Sequence, residues 1–526
     1  MGPVWLLALA LASPWERQDN RFTLKLEGGR AELDWVSAST FRFARDWNKT
    51  PSRNRRGGDD RVEVSDFDTG HAVEFRTRYL TVEIRKSDLR LRVKDGQGGL
   101  LMEEAAGARR EGGAVVLEGP LGAAERIYGL GVQTLGALDR RGVKTETERP
   151  FLWSSAGYGR YFPSAERHRF DLGGGRLRVE IPGAQRIEHY FYYGPAPKEI
   201  LEQHFAVAPQ VRAWAPGDTE VRRPSRLPAY AVRLPGAAAP GWDALAETVA
   251  RFNHASLSGV QMPVFDRGAF DSAPEEVRRR ATQLGMVSPL VMAPAGAGEI
   301  ERWRLRLRPY LFAYFQEAHD RGIPVIRPLI MQFARDPEAA RHSDVFMFGD
   351  EFLAAPILSS GGRRELYLPM GIWTDLRTNA TYTGRRTIQI EAAPDELPLF
   401  ARNGAVIPFL DDPATDRISA HYFPKLGAEF FIFEPDANDH TQLHASPAGD
   451  LYRFEIESKV DREYEWVAHH LPAPKQVARG ETVFAEVASK DELRPGTWFH
   501  DAALQNLHLR VAAPAGADVI VNVSFR

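Results

Sequence analysis

Ser258-Gly-Val-Gln-Met-Pro-Val-Phe265 is a short, mostly apolar run that follows a helical pattern, and this order decides the predicted fold. In the helical segment before it, apolar residues recur every three or four positions, at Trp242, Leu245, Val249 and Phe252. Such spacing places an apolar stripe along one side of an α-helix. A short apolar run between turn residues is typical of a strand that is buried on both faces. The segment therefore predicts a helix followed by a buried strand.

The same order recurs along residues 242–328. Two further apolar runs, Val287–Met292 and Ile323–Ile330, resemble buried strands. A second helical pattern lies between them and ends near Gly322; its apolar positions are Trp303, Leu307, Tyr310, Leu311, Tyr314 and Phe315. Alternating strands and helices are typical of βα units with a parallel sheet. We therefore predict the remnant of an α/β barrel, or a fold built in the same way, in the middle of the chain.

Strand patterns lie on both sides of this segment. From Phe22 to Trp214, stretches such as Leu80–Arg85 alternate apolar and polar residues, and turn residues separate them, which predicts an antiparallel β-sandwich. Strand patterns return after Pro337 and continue to the last residues. The predicted organisation is a signal peptide at 1–20, an N-terminal β-sandwich at 21–215, the barrel remnant at 216–340, and two C-terminal β-sandwiches at 341–410 and 411–526.

The composition argues against several classes of protein. Lysine and arginine number 67 against 70 aspartate and glutamate, so the net charge of −3 gives no electrostatic basis for binding nucleic acid or an anionic membrane. The sequence has no cysteine, which excludes disulfides, thiolate chemistry and cysteine-ligated metal. The first residues, Val4–Ala12, form a short apolar run that ends in Ala10-Leu11-Ala12, a pattern similar to a signal-peptide cleavage site. We expect a secreted or periplasmic protein; a wrongly assigned start is the alternative, because no lysine or arginine precedes the run.

Several motifs, taken in order, resemble glycoside hydrolase family 31, the α-glucosidases and α-xylosidases. They are Tyr128-Gly-Leu-Gly131, Pro150-Phe-Leu-Trp-Ser-Ser-Ala-Gly-Tyr-Gly159, Leu257-Ser-Gly-Val260, Asp266-Arg-Gly-Ala-Phe270, Leu307-Arg-Pro-Tyr-Leu311, Gly322-Ile-Pro-Val-Ile-Arg-Pro328, Asp344-Val-Phe-Met-Phe-Gly349 and Pro398-Leu-Phe-Ala-Arg-Asn-Gly-Ala-Val-Ile-Pro408. The resemblance implies a galactose-mutarotase-like β-sandwich, an eight-stranded barrel that bears the active site, and two C-terminal β-sandwiches.

The resemblance also reveals what this sequence lacks. A complete barrel takes about 250 residues, yet Trp214, which resembles the entry to the first strand, lies just before Tyr230–Ala237, which resembles the segment after the sixth strand. The strand that bears the family's nucleophilic aspartate has no counterpart. The position of the acid/base aspartate is Ala237, and the usual arginine and histidine contacts to sugar fall at Met292 and Pro294. The barrel is therefore predicted to be truncated, and we assign no catalytic residue.

Four residues are candidates for contact with substrate. Asp266 retains a carboxylate at a pocket position of the family, and Phe270 belongs to the same motif; the alternative for Asp266 is that it caps a turn. Phe151 and Trp153 lie in the segment that reaches the pocket in the family, and aromatic faces pack against sugar rings. In a truncated barrel they could equally cover a core edge. No metal site or cofactor is predicted, since this hydrolysis uses carboxylates and water.

Two hypotheses remain open for function. The first is a catalytically degenerate protein that binds carbohydrate or has a structural role in an assembly. The second is an active retaining α-glycosidase, whose carboxylates come from unrecognised positions or a partner subunit. Because a parallel sheet needs cover on both faces and at its edges, we expect a homo-oligomer or a protein partner over the open barrel.

Two polar groups are expected at the surface. Arg304, Arg306 and Arg308 alternate with apolar residues on a predicted helix, which is typical of a solvated face. The pair His469-His470 lacks the spacing of metal ligands, and we expect it to be exposed.

Overall fold

The computed structural model describes residues 14–47, 61–132, 136–164, 166–208, 231–233, 239–292 and 298–525. The chain divides into two compact units: the first comprises Met1–Gly131 and Asp139–Gln210, and the second comprises Val132–Leu138 and Val211–Arg526. The apolar N-terminal run at 4–12 lies outside the described residues. Strand β1, Trp15–Gln18, pairs with Arg21–Leu26, so the end of the segment predicted as signal peptide is a sheet strand here.

The described part of the first unit consists of three antiparallel sheets and one helix. Its elements are β1 Trp15–Gln18, β2 Arg21–Leu26, β3 Gly29–Ser37, β4 Thr40–Asp46, β5 Ser65–Asp68, β6 Ala72–Arg76, β7 Leu80–Arg85, β8 Leu91–Asp95, β9 Leu100–Glu103, β10 Arg109–Glu111, β11 Ala114–Pro120, β12 Ile127–Gly129, β13 Lys144–Thr147, β14 Phe151–Ser154, β15 Tyr158–Tyr161, β16 His168–Asp171, β17 Arg176–Pro182, β18 Arg186–Tyr193 and α1 Pro197–Val207. The strand orders are β1-β2-β3-β4-β18-β15-β14-β12, β10-β11-β17-β16-β13 and β5-β6-β7-β8-β9.

The alternation of apolar and polar residues explains these sheets. In β7 the side chains of Leu80, Val82 and Ile84 are fully buried, whereas the residues between them are half-buried. A strand places successive side chains on opposite faces, so one apolar set enters the core. The antiparallel sheets predicted for this part of the chain are present.

The second unit begins with a small parallel sheet and its helices. These elements are β19 Ala231–Arg233, α2 Trp242–Leu257, β20 Met262–Asp266, α3 Glu275–Met286, β21 Leu290–Met292, α4 Gly298–Arg306 and α5 Arg308–Arg321. The three strands pair in the order β19-β20-β21, and both pairs are parallel. Helix α2 packs against β20, with Leu245, Val249 and Phe252 completely buried. The predicted helix, strand and parallel pairing are confirmed here; that they belong to a truncated barrel stays a prediction.

The rest of the second unit is mostly antiparallel. Its elements are β22 Ile326–Arg327, α6 Leu329–Gln332, β23 Phe346–Phe348, β24 Phe352–Ala354, β25 Arg363–Leu368, β26 Ile372–Asp375, β27 Thr381–Thr383, β28 Arg386–Glu391, β29 Leu399–Arg402, β30 Ala405–Asp412, β31 Arg417–Phe423, β32 Ala428–Glu434, β33 Asp439–Ala448, β34 Leu451–Glu457, β35 Arg462–Ala468, β36 Gln476–Arg479, β37 Thr482–Val483, β38 Ala485–Glu486, β39 Thr497–Asp501, β40 Asn506–Ala513 and β41 Asp518–Ser524. The sheet orders are β22-β23-β24-β29-β26-β27, β25-β28, β30-β31-β35-β40-β39-β38 and β32-β33-β34-β41-β36-β37. The predicted boundary at 410/411 falls inside β30, which pairs with β31.

Two predicted elements differ from the structure. The run Ile323–Ile330 contains a strand of only two residues, Ile326–Arg327, which pairs antiparallel with β23 instead of joining the parallel sheet. Pro324 and Pro328 flank it, and a residue without an N–H cannot extend a strand ladder. The second helical pattern is split at Leu307 into α4 and α5, because proline is tolerated only in the first turn of a helix.

Arg304 and His469 are buried, which corrects their predicted exposure. The Arg304 guanidinium donates to the carbonyl oxygens of Ser288 at 2.6 Å and Pro289 at 2.8 Å, so it ties α4 to the chain just before β21. The His469 ring stacks on Phe423, with the ring centroids 4.2 Å apart. Sequence spacing did not predict either contact, because both partners come from distant elements.

Candidate functional site

The carboxyl edge of the parallel sheet is the position at which such sheets bind ligands. Asp266 is the last residue of β20, and its register partner on β21 is Met292, also the last residue of its strand. Arg233 is the last residue of the neighbouring strand β19, and its register partner on β20 is Val264. The topology therefore brings Asp266 and Met292 together, as the order of the strands in the sequence predicts.

A single 3₁₀ turn, Arg267–Phe270, follows β20 and fixes the position of Asp266. Phe270 is buried and packs against Phe265, with ring centroids 5.8 Å apart. The Arg267 guanidinium donates to the Thr282 hydroxyl at 3.0 Å and to Asp271 at 2.5 Å. Phe270 thus acts as the apolar anchor of the turn, while Asp266 stays half-buried at the sheet edge.

The segments that follow the other two strands carry no ionisable side chain. Residues 234–241, after β19, are leucine, proline, glycine and alanine, and residues 293–298, after β21, are alanine, proline and glycine. Ala237 and Pro294 belong to these segments and lie outside the described residues. Asp266 is therefore the one carboxylate that the strand ends and the segments after β19 and β21 supply, and Asp271 is engaged by Arg267.

Phe151 and Trp153 belong to the first unit, on β14, and both are buried, with 1% and 2% of their surface exposed. The Phe151 ring stacks on His204 of α1 at a centroid distance of 3.8 Å. The Trp153 ring stacks at 4.3 Å on Tyr128, its cross-strand neighbour on β12. Each ring has one face covered by another ring, so both residues act in core packing here; their contact with sugar stays a prediction.

A buried charge cluster surrounds Arg327 on β22, and the sequence pattern does not predict it. Arg327 is fully buried, forms ion pairs with Glu317 and Asp350, and donates to the Pro324 carbonyl at 2.8 Å. The neighbouring carboxyl group of Glu351 accepts a hydrogen bond from the Tyr314 hydroxyl. Burial, reinforced by the charge of Asp350, raises the pKa of Glu351 to about 7. The only sequence signal was an arginine between two prolines in an apolar run.

Within the described residues, no group of three or more histidine, aspartate or glutamate side chains is arranged to hold a metal ion. None of the described helices is long and apolar enough to cross a membrane.

Comparison with known proteins shows which proteins this chain is similar to. Residues 322–407 match the sequence model of the glycosyl hydrolase family 31 C-terminal domain. A 1,6-alpha-glucosyltransferase of Sporosarcina globispora is 30% identical over 154 residues, which is 27% of this chain and 12% of that protein. A probable glucan 1,3-alpha-glucosidase of Oryza sativa subsp. japonica is 28% identical over 233 residues, 38% of this chain and 25% of that protein. The matches thus span a quarter or less of these two relatives' own length.

The solved structures agree on the fold. A family 31 dextranase of Flavobacterium johnsoniae, in complex with glucose, superposes with a TM-score of 0.84 at 14% identity, over 97% of this chain and 99% of that chain. The β-rich architecture and the matched segment define a multidomain protein with the fold of these structures. The chain is similar to proteins of glycoside hydrolase family 31, and residues 322–407 match that family's C-terminal domain.

Proposed function

We propose that this chain is a catalytically degenerate member of glycoside hydrolase family 31 that binds carbohydrate at the carboxyl edge of its parallel sheet, or contributes that edge to an assembly. The observation that carries the proposal is that Asp266 is the one carboxylate among the ends of the three parallel strands and the segments 234–241 and 293–298. Retaining glycoside hydrolysis needs two carboxyl groups about 5–5.5 Å apart, one as nucleophile and one as proton donor. One carboxylate cannot hold both roles.

The composition of the neighbouring segments supports this reading. Alanine at 237 cannot donate a proton, and residues 234–241 and 293–298 contain no aspartate, glutamate or histidine. In the described residues the parallel sheet β19-β20-β21 has three strands, against eight in a complete barrel. A half-buried carboxylate that ends a strand can still accept hydrogen bonds from sugar hydroxyls, which is sufficient for binding.

The outer strands of the parallel sheet need to be covered, and this need supports a role in an assembly. In the described part of the chain, β19 and β21 are the outer strands of this sheet. Parallel sheets are found buried, and open strand edges pair with other chains. We include in the proposal a homo-oligomer or a protein partner over this edge, and a secreted or periplasmic location in which glycans are accessible.

An active retaining α-glycosidase is the second candidate. It is supported by similarity to a glucosyltransferase and to a probable glucosidase. In that case a carboxylate from another position or from a partner subunit would complete the site beside Asp266. The two candidates differ in one measurable quantity, the hydrolysis of an α-glycoside.

The test is release of nitrophenol from aryl α-glucoside and aryl α-xyloside by the purified chain. Asp266→Asn is assayed beside it, with Asp271→Asn as the control because Asp271 is a nearby exposed carboxylate. We expect no release above background from any of the three proteins. Release that is lost in Asp266→Asn and kept in Asp271→Asn would refute the degenerate reading and support the second candidate.

Binding and assembly are measured on the same samples. Titration calorimetry with maltotriose and isomaltotriose is expected to give heat that weakens in Asp266→Asn. Light scattering tests assembly: a monodisperse monomer would contradict a homo-oligomer, and the sheet edge would then need a different partner.

A further inference from the structure

A groove with a volume of about 570 Å³ lies within the second unit, between helix α5 and the outer face of β32, β33 and β34. We call it the α5 groove. Its volume falls in the range of about 300–1,000 Å³ that is usual for small-molecule sites. It is distinct from the carboxyl edge of the parallel sheet, since none of its lining residues comes from β19, β20 or β21.

The sheet wall of the α5 groove carries three side chains in register. Phe431 on β32 is paired with Gln442 on β33, which is paired with Glu457 on β34. Directly opposite residues in a sheet share a face and lie about 4.5–5.5 Å apart at Cβ. Phe431 is 44% exposed, which is unusual for phenylalanine. The wall thus offers an open aromatic face beside an amide and a carboxylate.

The helix wall of the groove carries polar groups held in place by hydrogen bonds. Gln316 on α5 donates through Nε2 to both carboxylate oxygens of Asp320, each at 3.0 Å, one turn along the same helix. His319, which is not a lining residue, has its Nδ1 2.8 Å from Asp320 Oδ1. Because these planar groups are already ordered, a ligand that bonds to them costs less side-chain entropy.

The carboxylates of the groove outnumber its basic side chains. The buried Arg327 behind the wall pairs with both Glu317 and Asp350, and Lys459 lies 3.4 Å from Asp439. The lining also includes the carboxylates of Asp320, Glu429 and Glu457. Carboxylates and amide oxygens accept hydrogen bonds from hydroxyl groups, so beside an open aromatic face they suit a neutral ligand with many hydroxyls. Sugars have such hydroxyls at their edges and apolar C–H faces that pack on aromatic rings.

We infer that the α5 groove is a second carbohydrate site, which binds a neutral oligosaccharide with one ring stacked on Phe431 and its hydroxyls bonded to Gln442, Glu457 and Asp320. The inference rests on the proposed function only for the class of ligand. It needs neither Asp266 nor the parallel sheet. A chain with two such sites would hold a glycan at more than one point, which raises its effective affinity for a polymer.

The experiment is titration of the full chain with maltotriose and isomaltotriose, up to about 5 mM because single-site sugar contacts are weak. The variants are Phe431→Ala and Gln442→Met. Phe67→Ala is the matched control, since Phe67 is 46% exposed on β5 of the first unit. Asp266→Asn reports on the sheet-edge site separately. Circular dichroism checks that each variant is folded, which is expected for substitutions at exposed positions.

We expect binding to weaken about tenfold in Phe431→Ala, because the stacking face is lost, and less in Gln442→Met, with no change in Phe67→Ala. A binding component that survives Asp266→Asn and disappears in Phe431→Ala supports the groove even if the sheet edge binds nothing. Three results would overturn the inference: no sugar binding by the native chain, binding unaffected by Phe431→Ala, or groove-dependent binding of a lysine-rich peptide in place of sugar.

Discussion

Replacement of Arg327 by methionine should destabilise the second unit by about 3 kcal/mol. Arg327 is completely buried, whereas the side chains of its partners, Glu317 and Asp350, are 21% and 36% exposed. Removal of one member of a buried ion pair costs about 3–5 kcal/mol, because the partner charge stays without compensation. Partial hydration of the two carboxylates places the expected loss at the lower end of that range.

The assay is urea unfolding followed by tryptophan fluorescence, with free energies from linear extrapolation. Arg341→Met is the control: Arg341 is 67% exposed and pairs with Glu338 at 2.8 Å on the surface, so its loss should cost less than about 1 kcal/mol. Adding Asp350→Asn to Arg327→Met should recover part of the loss, because one uncompensated carboxylate is removed. A loss below about 1 kcal/mol in Arg327→Met, with an unchanged m value, would refute the argument that this cluster is held by charge.

Three further changes test the packing and titration of both units. Burial lowers the pKa of His204 to about 3, so this histidine should cost the first unit about 1.4 kcal/mol per pH unit as pH falls from 6.5 towards 3, and His204→Phe should reduce the slope of the unfolding free energy against pH. The raised pKa of Glu351, about 7, has the opposite sign: stability of the second unit should fall as pH rises from 4.5 to 7, and Glu351→Gln should remove that slope in the same urea titrations. Gly349→Ala should cost about 2–4 kcal/mol in melting experiments, because Gly349 has φ of 67° and a Cβ would collide with Tyr310 and Tyr314; an unchanged melting temperature would contradict this.

Local patterns predicted the elements whose burial follows a single period. The spacing in α2 and the alternation in β7 identified the buried side chains, since each element turns its apolar residues towards one side. The sequence also allowed a turn after β20 to be predicted, because Asp266 follows an apolar run and precedes Gly268. These predictions needed no knowledge of neighbouring elements.

Predictions failed where distant segments determine the environment. Arg304 has the sequence context of a solvated arginine, yet two carbonyl groups before β21 accept its hydrogen bonds. The apolar run around Ile326 resembled a third parallel strand, but β23 offered it an antiparallel partner. For Phe151 the sequence left sugar contact and core cover open; His204 covers one face of its ring, and contact with sugar stays a prediction.

The sequence by itself determined the β-rich organisation and the scarcity of carboxylates after the parallel strands, because periodicity and composition are properties of the chain alone. Tertiary structure decided which side chains became neighbours. The α5 groove requires Phe431, Gln442 and Glu457 to stand in register across three strands, and Arg327 to lie beneath two carboxylates. Those contacts depend on strand pairing and burial between segments far apart in sequence, where hydrogen-bond register and desolvation, not local propensity, set the outcome.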